Sequence, residues 1–90
     1  MLSAAGKEPQ VQPLGDLVLE LLACVCRADR ADVTRRTPLH ALRVDSLTLV
    51  SVLSQVEAIR VITLTDTDIA AAFGAEDAGE LIAVIERAAG

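Results

Sequence analysis

Apolar positions along this chain recur at steps of three and four. Leu14, Leu17, Val18, Leu21, Leu22 and Val25 form a first stripe, the pattern of an amphipathic helix with one buried face. It predicts a helix from about residue 11 to residues 27–29. Pro13 is tolerable in its first turn, and Asp16 and Glu20 suit its N-terminal half through the helix dipole. A second stripe, Leu49, Val52, Leu53 and Val56, predicts a helix that starts at Asp45 or Ser46, both good N-cap residues, and fades near residues 57–60. Leu47 and Val50 lie off that stripe and are expected at the surface. Thr65 followed by Asp68 approximates a capping box and predicts a short helix over 66–73, ended by Gly74. Leu81, Ile82 and Ile85, extended by Ala78 and Ala88, predict a last helix opened by Glu76, Asp77 and Glu80.

Between these stretches the period is lost. Residues 1–10 mix Gly, Pro, Ser and charge and are expected to be a frayed tail. That leaves 11–90 as a single helical domain. Residues 29–43 form a long connection anchored by Val33, Leu39 and Leu42, and Thr37-Pro38 breaks any helix there. A connection of this length in a compact domain is usually functional. Val61-Ile62-Thr63-Leu64 favours extended backbone but has no partner strand, so it reads as a connector tucked onto the bundle. The expected fold is all-α: a four-helix bundle with three main helices, a short third one and a long first loop.

Composition narrows the function. Apolar residues make up 52% of the 90 residues, yet Phe73 is the one aromatic, so the core is built from aliphatic side chains. Net charge is −5, unevenly spread. Residues 27–43 hold five arginines against Asp29 and Asp32, whereas residues 44–90 hold Arg60 and Arg87 against eight acids. An acidic chain without aromatic platforms is a poor nucleic-acid ligand. With no run of about 18 apolar residues and no signal-peptide pattern, the expectation is a cytoplasmic chain that does not span a membrane. Cys24-Val25-Cys26 matches neither a redox nor a zinc spacing and reads as a pair of small packing residues.

The candidate chemistry centres on Ser46. His40 is the chain's one histidine. No third group stands in sequence to orient it, and no nucleophile-elbow motif surrounds the serine, so catalysis is not expected. One His and two mis-spaced Cys do not make a metal site. A serine at a helix start can instead carry a phosphate ester, favoured by free N–H groups and by a dipole worth about 0.3–1 kcal/mol. Helix capping is the plainer alternative. Ala70-Ala71-Ala72 in the third helix fits close helix packing, or else a groove against the second helix.

Asp45-Ser46-Leu47, approached through Leu39-x-x-Leu42 and followed by an amphipathic helix, resembles the phosphopantetheine attachment motif of acyl carrier proteins. The resemblance covers about residues 12–88 and points to the stand-alone bacterial type. It implies 4′-phosphopantetheine from coenzyme A on Ser46, with Asp45 as part of the motif read by a phosphopantetheinyl transferase. It also implies a monomeric carrier, not an enzyme, holding acyl thioesters for polyketide or related specialised-metabolite biosynthesis. The partners implied are acyl-loading and acyl-processing enzymes of acyltransferase, ketosynthase or adenylation type, meeting Leu47 and Val50. An aminoacyl or peptidyl carrier is a close variant, though its usual Gly-Gly-x-Ser approach differs from Val44-Asp45-Ser46. A non-carrying adaptor that uses the Ser46 face is the alternative of another class. The chain departs from the family at Arg43, where Gly is usual, and at Ser51, where Glu is frequent. Residues 46–60 hold one acid, Glu57, against Arg60. Partners are therefore expected to read Leu47, Val50 and loop arginines such as Arg43 in place of a carboxylate-rich helix.

Overall fold

The computed structural model describes residues 12–90. The expected tail and the first residue of the expected helix start, Val11, lie outside the described residues. Four α-helices are present among them: α1 (Leu14–Cys26), α2 (Ser46–Arg60), α3 (Asp66–Phe73) and α4 (Ala78–Ala89). No strand accompanies them; one isolated antiparallel bridge joins Pro38 to Asp77. The architecture is the expected all-α bundle. α1 packs on both α2 and α4, and α3 lies against α4.

The helical stripes become the core. Val18 and Leu22 of α1, Val52 and Val56 of α2, and Leu81, Ile82 and Ile85 of α4 are all fully buried. Val33 from the loop and Leu64 from the α2–α3 connection complete the cluster. No polar side chain is buried among the described residues, so aliphatic contact alone fills the interior. The caps follow chemistry visible in the sequence. Thr65 and Asp68 close a reciprocal capping box at α3, and Asp77 accepts the Glu80 N–H at the start of α4.

The long loop is ordered by two single 3-10 turns, Arg30–Asp32 and Leu39–Leu42, not left irregular. Three backbone bonds then fasten it to the start of α4. The Leu39 N–H donates to the Glu76 carbonyl (2.9 Å), Ala78 N–H to Thr37 (3.0 Å), and Gly79 N–H to Arg35 (2.7 Å). A Cβ on Gly79 would stand 2.9 Å from the Arg35 carbonyl oxygen, so the close approach requires glycine there. The Arg35 guanidinium lies over Gly15 of α1, so one loop residue bridges α1 and α4.

Three helical stretches stop in the same way, each on a non-glycine residue in the left-handed region: Arg27, Arg43 and Val61, with φ of 57°, 59° and 54°. Each is followed by a six-to-one bond, Ala28 N–H to Ala23, Val44 N–H to Leu39 and Ile62 N–H to Glu57, the Schellman arrangement that glycine usually serves. Val61 is the most strained, because it is β-branched, and it is 90% exposed. Val61→Gly therefore removes strain without removing packing and should stabilise the fold by about 1 kcal/mol in denaturant titration. Gly79→Ala, in contrast, should destabilise it by roughly 1–3 kcal/mol, with amide exchange at Leu39 and Ala78 accelerating together.

Candidate functional site

The 3-10 turn Leu39–Leu42 delivers the chain to α2. Leu39 is buried and Leu42 half-buried, so these two anchors fix the turn against the bundle. Arg43 ends it in the left-handed conformation, which reverses the chain direction toward α2. An arginine thus sits in a backbone region that glycine enters freely and a residue with a Cβ enters at a cost. That is the physical content of its departure from the usual Gly. Its side chain is exposed beside the start of α2.

Asp45, not Ser46, is the N-cap of α2. Its carboxylate accepts the Thr48 N–H at 2.8 Å, and its carbonyl accepts the Leu49 N–H at 2.9 Å. The Thr48 N–H first, and the Thr48 hydroxyl second, hold the Asp45 carboxyl below its ordinary range. This settles what the sequence left open between two adjacent cap residues. Ser46 is the first helical residue, exposed, and its hydroxyl makes no hydrogen bond among the described residues. Capping is thus done by Asp45, and the Ser46 hydroxyl is left for other chemistry. The Ser46 and Leu47 N–H groups, in the first turn, have no partner within the helix. Leu47 is 82% exposed and Val50 45% exposed, side by side with the serine.

Ser46 and Asp45 stand on the rim of an open depression of about 860 Å³. Its floor is apolar, from Leu39, Val44, Leu49 and Ala72, with Phe73 half-exposed over it. Arg36 and His40 edge one side and Glu76 and Asp77 another. The depression lies between the loop, the first turn of α2 and the α3–α4 junction. Of the groove against the second helix weighed from the alanines, Ala72 lines this depression together with Leu49 of α2. Here Ala72 is buried, whereas Ala71 faces a separate, smaller hollow shared with Ala83 and Val84 of α4. Sequence reading missed Phe73 as a neighbour of Ser46, because only the long-range clamp brings residues 73–77 to the loop.

His40 reaches the same depression, but nothing orients it toward the serine. No group of three or more His, Cys, Asp or Glu side chains that could hold a metal ion occurs among the described residues. Cys24 is exposed and Cys26 half-buried, both as free thiols. Burial, and then the nearby Asp45 carboxylate, push the Cys26 thiol up. No helix of the described residues is long and apolar enough to cross a membrane.

The family model described as a phosphopantetheine attachment site matches residues 16–85, a span that runs from the first turn of α1 through most of α4. Searches of curated proteins and of solved structures gave no match. A domain of this kind is the site of covalently attached 4′-phosphopantetheine. The residues present fit that group: an exposed, unengaged serine hydroxyl at a helix start, beside an open apolar depression.

The cap makes α2 acid-sensitive. The Asp45 carboxyl is depressed in the folded state, so its contribution is present above the unfolded value of about 3.9 and is lost as pH falls through the folded value. Asp45→Asn should lower the thermal midpoint at neutral pH, and the gap to the native protein should close as the solution is taken below pH 4.

Proposed function

The chain belongs to the phosphopantetheine attachment family, and we propose that within it this protein is an acyl carrier whose arm is borne by Ser46. The observation that carries the reading is the division of labour at the start of α2. Asp45 performs the capping, so the adjacent exposed serine has no structural duty that would conflict with esterification. Bound, the arm ends in a thiol that holds acyl groups as thioesters. The chain itself presents the hydroxyl, places the ester at the positive end of α2, and offers surface for the enzymes that load and process the cargo. It is their substrate, not a catalyst.

Three features support an acyl over an aminoacyl cargo and a polyketide-type specialised pathway. The approach Leu42-Arg43-Val44-Asp45 lacks the paired glycines common in aminoacyl carriers. The floor beside Ser46 is aliphatic with one aromatic, Phe73. The second helix lacks the carboxylates that the family generally offers to shared enzymes, which suits dedicated partners. Leu47 and Val50 form the apolar contact and Arg43 the basic one. The transferase reads Asp45 and Ser46, and the enzymes that follow are of acyltransferase, ketosynthase or adenylation type. The carrier works as a cytoplasmic monomer.

Intact mass after incubation with coenzyme A and a broad-specificity phosphopantetheinyl transferase tests this. One phosphopantetheinyl unit should be gained, and Ser46→Ala should gain none. An unmodified native chain would instead make the protein a non-carrying adaptor. Subsequent loading with acyl-coenzyme A donors against amino acids and adenylating enzymes separates the two cargo classes.

A further inference from the structure

Arg43 occupies a position where the family usually has glycine, and its guanidinium has no task inside the fold. Three other arginines are engaged. Arg30 donates to the Val33 carbonyl at 3.0 Å, Arg60 donates to the Gln12 carbonyl, and Arg35 lies over Gly15. The Arg43 side chain is exposed and makes no hydrogen bond among the described residues. The neighbouring Asp45 does not claim it either. Asp45 accepts the Thr48 N–H at 2.8 Å. That N–H, the Thr48 hydroxyl and other nearby N–H groups hold its carboxyl down, with no arginine among them.

Arg43 also stands close to Ser46. Three residues of chain span at most about 10 Å, and the left-handed backbone at Arg43, φ 59°, turns the chain between the two. An arginine side chain is long enough to reach a group carried on the serine. The remaining charges around the serine are of both signs: Arg36 and His40 share the rim of the depression with Glu76 and Asp77. A phosphodiester on Ser46 would add a negative charge next to the Asp45 carboxylate. The first turn of α2 answers part of that charge through N–H groups without helical partners. The unengaged cation in the same turn of chain is Arg43.

We propose that Arg43 holds the phosphodiester of the arm on Ser46, its planar guanidinium donating paired hydrogen bonds to the phosphate oxygens, so that the root of the arm is restrained on the loop side of the serine. The inference rests on the carrier reading for the presence of the phosphodiester; the choice of Arg43 comes from the structure. A glycine at residue 43 gives the turn without the grip. The charge that residue 43 offers then differs before and after modification. A transferase meets a bare arginine, and the enzymes that follow meet a neutralised pair.

The test installs the arm enzymatically and compares each chain with and without it. Modification is followed by intact mass, stability by thermal melting, the ester by its phosphorus NMR resonance, and the guanidinium by the Nε–H resonance of Arg43. In the native chain the arm should slow Arg43 Nε–H exchange several-fold. It should also raise the thermal midpoint of the native chain by about 2–4 °C more than that of Arg43→Gln in low salt, and this difference should shrink in high salt. Arg43→Lys should keep part of the difference, since it keeps the charge and loses the fork. Arg43→Gly should lose all of it, although the unmodified variant melts higher because its left-handed backbone is relieved. The phosphorus resonance should move in Arg43→Gln and stay in Arg87→Gln, which removes the same charge from α4. An equal gain in the native chain and Arg43→Gln, or an effect of Arg87→Gln as large as that of Arg43→Gln, would overturn the proposal. So would an Nε–H exchange rate unchanged by the arm, a readout that needs no variant and so stands even where the transferase refuses one. A native chain that gains no mass sinks the carrier reading and this inference with it, whereas full mass with an unchanged Nε–H signal sinks the inference alone.

Discussion

Three backbone hydrogen bonds between residues 35–39 and 76–79 hold the functional part of this protein together. Fifteen residues of loop cannot be organised by a core that draws only Val33 and Leu39 from them. The clamp supplies what hydrophobic burial does not. It fixes the loop to the first turn of α4, which sets the 3-10 turn, which in turn delivers Asp45 to the start of α2. It also creates the depression next to Ser46, whose opposite walls come from segments more than thirty residues apart in sequence.

The site shows two neighbouring residues dividing what one could have done. Either Asp45 or Ser46 could cap a helix. The carboxylate takes the task, because Asp45 has the extended backbone of a cap residue and its oxygen reaches the Thr48 N–H. Ser46 then enters the helix proper with its hydroxyl outward. Arg43 contributes by its backbone first: a left-handed stop lets a turn that points away from α2 be followed at once by α2. The family's customary glycine reaches that geometry without strain, and this chain reaches it with a side chain that also puts a positive charge near the serine.

Elements with local causes were legible in the sequence. The stripe Leu49, Val52, Leu53 and Val56 is buried as its period required, and α3 runs from Asp66 to Phe73 between the Thr65–Asp68 box and Gly74. Leu47 and Val50 are exposed because they lie off that stripe. What was hidden depends on distance along the chain or on backbone angles. Nothing near Thr37 announces a bond to Ala78, so the loop read as irregular and the Phe73 wall of the depression was missed. Left-handed stops at Arg27, Arg43 and Val61 carry no glycine to mark them. The choice between Asp45 and Ser46 as cap is a matter of one residue, below the precision that propensity allows.

The scarcity of charge on α2 also has a kinetic side. Carriers meet their enzymes by diffusion, and a charged surface can raise the encounter rate far above the roughly 10⁵–10⁶ M⁻¹ s⁻¹ of unsteered association. Six of this chain's thirteen acids lie between Asp66 and Glu86, and two of them, Glu76 and Asp77, edge the depression beside Ser46. Along α2 itself Glu57 and Arg60 are the two charges, so the helix adds little to such steering. Where steering is weak, turnover depends on how long each complex persists, and on how many copies of the carrier are present, more than on how fast partners find one another.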